Sequence, residues 1–550
     1  MAVKTRYFVL SIAMLCTAAL SACSGMRARR LDGQSSSIQS DGGKVVSVSG
    51  GKVAYASDST TAERVFKAIP FAAPPVGQLR WKAPQPVAAW SGVRRSEDFS
   101  PACLQGNRPF GKPGSILYQG ELPQSEDCLY LNVWAGAAST EKRPVLLLLH
   151  GGGFLLGGGS QPNYNGASLA AKGAIVVTMN YRLGPLGFLA HPALSAESPH
   201  KVSGNYAVLD AIAALQWVQT NIGAFGGDAT RVTLLSESAG SGIASVLLGS
   251  PAAKGLFQRV VISSLGSMPT DREAPPLALA EKVGAKYAAE LGASDAAALR
   301  ALPADKLMAT PGSIPVPVVD GVIWPDQLDK LFATGAVADV PMLVGWNADE
   351  ATPYPPFATD LASYNEAAAK RFGPMADAFK QVYPVSSDSD VKAMGRLPFR
   401  DSFFAWQPWA TARAHAALKK SPTWLYFFTR RPAYNPGQKF NEQDPPEQYG
   451  AHHSLEQVYF YNNLAKSAPP RAFNETDQRI ADAASSYLIR FAETGNPNQN
   501  GLPAWPRFEG AGSQSMEIGD RIAPAAVPFQ PALQFFDQFH AERIGRKLPF

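Results

Sequence analysis

Cysteine is scarce in this chain, with four residues, Cys16, Cys23, Cys103 and Cys128, among 550. No Cys/His grouping has the spacing of a zinc site, so no structural metal is expected. Charge is also sparse, at 17% of residues. The formal net charge of +5 is spread along the sequence rather than gathered in a stripe, which argues against a nucleic-acid partner. Beyond the N-terminus no apolar run is long enough to cross a bilayer, and no internal repeat is visible. With 46% hydrophobic residues the chain is too apolar to be disordered. Its length leaves domain count open, because large α/β proteins often keep one sheet and add long insertions.

The first residues read as an export signal. Lys4 and Arg6 precede the apolar stretch Tyr7 to Leu20, which is too short and wrongly flanked for a permanent transmembrane helix. Leu20-Ser21-Ala22-Cys23 resembles the lipobox of bacterial lipoproteins, in which cleavage before the cysteine frees it for lipid attachment. The resemblance implies a signal peptide over 1–22, a lipid anchor at Cys23 and a flexible Ser/Gly/Arg/Gln-rich tether over 23–43. Ser24, in place of the aspartate linked to inner-membrane retention, points to the outer membrane. An ordinary signal cleaved near Ala22, leaving a soluble periplasmic or secreted protein, is the alternative. With Cys16 removed and Cys23 used as anchor, Cys103 and Cys128 form a lone pair, expected to be a disulfide in an oxidising compartment.

Along the body, short continuous apolar runs alternate with helical patterns. The runs are Val145 to Leu149, Ala174 to Met179, Val232 to Leu235, Arg259 to Ser263, Pro341 to Val344 and Trp424 to Phe428. Continuous hydrophobicity of this kind suits central strands of a mostly parallel sheet with helices on both faces. Tyr206 to Thr220 carries Val208, Leu209, Ile212, Leu215 and Val218 at helical spacing, and Leu277 to Leu291 and Asp477 to Thr494 also read as helices, the last stopped by Gly495 and Pro497. The Pro-rich stretches Ala68 to Pro86 and Ala351 to Phe357 read as surface loops. The region from about Pro269 to Ser421 reads as containing a more helical insertion within one catalytic domain, 44–550.

In open α/β sheets the loops after the carboxyl ends of strands carry function. Here those loops share a theme. After Val232 to Leu235 comes Ser236-Glu237-Ser238-Ala239-Gly240, which places Ser238 on a strand-to-helix turn with small residues two positions away on either side, except that Ser236 replaces the first glycine of G-x-S-x-G. After Val145 to Leu149 comes His150-Gly151-Gly152-Gly153-Phe154. The amides of Gly152, Gly153 and Ala239 are candidate donors to an oxyanion, since no Cβ keeps a glycine backbone away from a substrate. The Lys and Ser/Thr of a phosphate-binding loop are missing. After Pro341 to Val344 come Asp349 and Glu350, rival candidates for an orienting acid, with Glu350 preferred. His452 and His453 follow later, and His453 is the candidate base. The order serine, acid, histidine is that of an α/β hydrolase.

These residues, with Glu126-Asp127-Cys128-Leu129-Tyr130-Leu131-Asn132, Asn180-Tyr181-Arg182-Leu183-Gly184, Phe225-Gly226-Gly227-Asp228 and Gly495-Asn496-Pro497, resemble the type-B carboxylesterase and cholinesterase family of α/β hydrolases from Gly43 to the C-terminal region. The resemblance implies a Ser238-His453-Glu350 triad, oxyanion donors at Gly152, Gly153 and Ala239, and a Cys103–Cys128 bridge. It implies hydrolysis of small-molecule carboxylic esters through an acyl-enzyme, with no cofactor. Departures are Ser236 for glycine and Ser264-Leu265-Gly266 where the family often has Gln-Ser-Gly. A lipase or a specialist esterase for a bulky compound is a second reading. A non-catalytic binding module, which the family also contains, is a third that the complete triad disfavours. A base with an ordinary imidazole pKa would lose activity as pH falls through about 6 to 7. The pocket aromatics stay open, Phe154 and Trp324 reading equally as lining or core, and oligomeric state is not legible.

Overall fold

The computed structural model describes residues 45–55, 64–95, 97–106, 111–137, 139–442 and 444–550. The expected signal over 1–22 with Cys16, the expected anchor Cys23 and the expected tether over 23–43 lie outside the described residues. Residues 43–550 cluster as one compact unit.

Ten strands make the main sheet, numbered here along the chain: β1 (Arg64–Pro70), β2 (Tyr130–Ala135), β3 (Arg143–Leu149), β4 (Ile175–Met179), β5 (Gly227–Glu237), β6 (Arg259–Ser263), β7 (Met342–Asn347), β8 (Thr423–Phe428), β9 (Gln514–Ile518) and β10 (Ile522–Ala526). Their spatial order is β10-β9-β8-β7-β6-β5-β3-β4-β2-β1. The run from β9 to β4 is parallel, while the pairings β10–β9, β4–β2 and β2–β1 are antiparallel, so that β10 and β2 alone run against the rest. A parallel sheet needs cover on both faces, which is why these strands read as unbroken apolar runs. Side chains alternate accordingly. Val145, Leu147 and Leu149 pack into one core with helices α1 (Tyr206–Asn221) and α2 (Ala239–Gly249), whereas Leu146 and Leu148 pack into the other with α3 (Glu475–Thr494).

Two details differ from the sequence reading. Ala68 to Pro70 belongs to β1 rather than to a loop. The helical insertion is two segments, helices over 277–334 and over 361–417, because β7 runs through the sheet between them. Cys103 and Cys128 are bonded as a disulfide. Among the described residues no helix is long and apolar enough to cross a membrane.

Candidate active site

Because β5 ends at Glu237 and α2 begins at Ala239, a single residue makes the turn, and that residue is Ser238. Its φ of 51° and ψ of −123° are strained for a side-chain-bearing residue and are held by the elements on either side. The Ser238 amide donates to the Ser263 carbonyl at 2.9 Å, and the Ser238 carbonyl accepts from the Gly242 amide at 3.1 Å. The turn is pressed against β3 so closely that a Cβ on Gly240 would lie 2.1 Å from the Leu149 carbonyl oxygen. Serine at 236 fits without disturbing this arrangement. Its buried hydroxyl donates to the Val261 carbonyl at 2.6 Å and lies 3.1 Å from the Ser241 hydroxyl.

The imidazole of His453 joins the other two groups. Its Nε2 lies 2.9 Å from Ser238 Oγ and its Nδ1 lies 2.6 Å from Glu350 Oε2. His452 turns the other way, with Nδ1 on the His453 carbonyl at 2.7 Å and Nε2 against the Arg471 guanidinium. The two acidic rivals separate as clearly. Glu350 is fully buried, and its Oε1 accepts from the Asn347 amide at 2.7 Å and the Ser264 hydroxyl at 2.5 Å. Asp349 instead accepts from the exposed Arg431 guanidinium at 2.8 and 2.9 Å and from the Ala451 amide at 2.8 Å, which ties down the strand of chain leading to His453. At the first position of the Ser264-Leu265-Gly266 departure, the hydroxyl thus donates to Glu350.

Burial sets the electrostatics. It lowers His453 below the ordinary imidazole value, with the nearby Glu237 carboxylate pulling in the opposite direction. It pushes Glu350 up to about 8 against the Ser264 hydroxyl, the Asn347 amide and the Arg400 guanidinium. One proton on the line between Nδ1 and Oε2 satisfies both partners and leaves Nε2 as an acceptor facing the serine.

Gly152 and Gly153 have φ of 112° and 62°, and a Cβ on Gly152 would lie 2.0 Å from the Leu156 carbonyl oxygen, so this loop requires glycine. The Gly152 carbonyl is turned away from the cavity's chemistry by accepting the Leu155 and Leu156 amides, each at 3.1 Å. Gly152 and Gly153 line the same cavity as Ser238 and His453, a space of about 590 Å³. Ala239 opens α2, where a helix amide has no intrahelical acceptor. Of the two open aromatics, Phe154 lines the cavity and Trp324 sits in the core at 1% exposure.

Several contributors were not legible beforehand. Glu237, the variable position of the turn motif, is buried, accepts from Ser454 Oγ at 2.5 Å and lies 3.3 Å from His453 Nε2. Burial raises it to about 8. A carboxylate beside a turn serine reads as solvated, and only packing shows otherwise. Phe404 lies against the imidazole with ring centroids 4.4 Å apart, and Tyr354 meets it edge-on at 6.0 Å. The Ala351 to Phe357 stretch is therefore not only a surface loop, since Tyr354 turns inward.

A mostly parallel, doubly covered sheet with a serine elbow, a glycine loop and an imidazole converging on one cavity defines an α/β hydrolase. The chain belongs to the Carboxylesterase family, whose profile matches residues 42–536, and it is a carboxylic ester hydrolase of the type-B group. It is similar to the fumonisin B1 esterase of Sphingopyxis macrogoltabida, 37% identical over 474 residues, 83% of each chain. The para-nitrobenzyl esterase of Bacillus subtilis (strain 168) is 34% identical over 482 residues, covering 83% of this chain and 91% of the relative. A solved PNB esterase superposes with a TM-score of 0.74 at 31% identity, covering 90% of this chain and 99% of that one.

Proposed function

We propose that Ser238 is the nucleophile, His453 the general acid and base, and Glu350 the acid that orients it, within one catalytic domain over 44–550. The observation that carries this reading is the continuous line from Ser238 Oγ through the imidazole to Glu350 Oε2, with separations of 2.9 and 2.6 Å. Ser238 Oγ attacks the ester carbonyl carbon as its proton passes to His453 Nε2. The oxygen that gains charge is met by the amides of Gly152, Gly153 and Ala239, each such donor typically giving about 10² to 10³ in rate. Collapse of the tetrahedral species expels the alcohol, which takes the proton from Nε2. Water then repeats the sequence on the acyl-enzyme and releases the acid.

Export precedes this chemistry. Cleavage after Ala22 leaves Cys23 to carry lipid, as the Leu20-Ser21-Ala22-Cys23 string supports, and residues 23–43 tether the catalytic domain to the outer membrane, as Ser24 in place of an aspartate supports.

The test of the catalytic reading is Ser238→Ala assayed on para-nitrophenyl acetate together with labelling by an active-site phosphonate. The variant is expected to fold normally, to lose nearly all turnover and to resist the label. Retention of most turnover would refute the assignment.

A further inference from the structure

The cavity wall beside His453 is built on an unusual stretch of backbone. A π-helical turn, Arg400–Ala405, lies between the short helix Leu397–Phe399 and the helix Trp406–Ala417. In an α-helix a residue five positions on is rotated by about 140° from the first, so Phe399 and Phe404 would face different ways. A turn closed by bonds five residues apart winds more slowly and so reduces that divergence. Here Phe399 touches both of its neighbours, with ring centroids 5.4 Å from Phe403 and 5.3 Å from Phe404, and all three rings line the cavity.

The turn is fastened from behind. The Arg400 guanidinium lies 3.5 Å from the Phe529 ring centroid, donates to the Ala348 carbonyl at 3.2 Å and to Asp401 Oδ1 at 2.7 Å, and Asp401 Oδ2 accepts from the Tyr383 hydroxyl at 2.7 Å. Arg400 and Asp401 are buried, yet Phe403 is 37% exposed. Among the described residues the large apolar side chains this exposed are Val76, Leu279 and Phe403, and of these Phe403 borders the cavity. An exposed ring on a fastened backbone turn, in a cavity that Leu265 and Val316 also line, gains contact when a second ring covers it.

We propose that Phe403, backed by Phe399 and Phe404, is the specificity-determining surface for a flat, ring-bearing arm of the ester. This rests on the catalytic reading above, because the carbonyl must sit at Ser238 while the ring lies on Phe403. The assay compares wild type, Phe403→Ala and Phe403→Tyr on two matched pairs. One pair is para-nitrophenyl benzoate against para-nitrophenyl acetate, and the other is benzyl acetate against ethyl acetate. Rates are normalised to sites titrated by an active-site phosphonate. In one of the pairs, the ratio of kcat/KM for the ring-bearing ester to that for its aliphatic partner is expected to fall about tenfold or more in Phe403→Ala and to be restored in Phe403→Tyr. Ratios unchanged in both pairs, or an equal loss on all four esters, overturn the proposal. A wild type that neither turns over these esters nor reacts with the phosphonate overturns the catalytic reading instead.

Discussion

His453 has a neighbour of the same type, equally buried, and what distinguishes the two is what each ring nitrogen faces. His452 meets Arg471, whereas His453 meets a hydroxyl on one side and a carboxyl on the other. Local spacing does not separate adjacent residues in a loop, and it was the family resemblance that favoured His453 over His452 and Glu350 over Asp349. Packing then gives the members of each pair different partners. The consequence for pH also comes from packing. Burial depresses His453, so its neutral, proton-accepting form persists below the ordinary imidazole range. Activity is expected to hold as pH falls through 6.5 and to be lost only when pH passes the depressed value, lower than the window of about 6 to 7 that an unperturbed imidazole gives. A kcat/KM profile on a non-ionising ester measures this, and a half-maximum at or above 6.5 contradicts it.

At the level of elements, legibility followed the physics of periodicity. Strands β3, β4 and β6 were readable nearly to the residue, because burial on both faces leaves an unbroken apolar run, and α3 ended where Gly495 takes a positive φ of 77°. The π-helical turn was not readable, since nothing in Phe399-Arg400-Asp401-Ser402-Phe403-Phe404 marks a change of helical pitch; tertiary contacts behind it do. The elbow between β5 and α2 is an element whose tolerance can be measured. Gly240→Ala places a methyl 2.1 Å from the Leu149 carbonyl oxygen and 2.8 Å from that of His150, both backbone atoms that cannot swing aside. It is expected to lower both turnover and stability, the latter by about 1 to 3 kcal/mol, on the scale of overpacked sites. Gly223→Ala, where a Cβ meets nothing within 4 Å, is the matched control. Equal urea midpoints and equal turnover for the two variants would show that the elbow yields.

For the molecule as a whole, the class of fold was legible because unbroken apolar strands alternate with helical patterns and the serine, glycine and acidic strings each follow such a strand. The leader carries its own expectation. Cys23→Ser is expected to shift the protein from the membrane fraction to the soluble fraction, as judged by fractionation and activity assay, without altering turnover on short esters. Unchanged membrane association in this variant would remove the lipid anchor from the account.

The hydrogen bond between Ser238 and His453 spans 215 positions of the chain. Bringing together two groups so far apart along the chain costs loop-closure entropy, which the packing of the intervening segments must offset. A partly folded polypeptide thus carries only an ordinary alcohol at this position, and the arrival of ester turnover during refolding marks completion of the native topology rather than collapse or helix formation. Catalysis itself serves as the clock for the last stage of assembly.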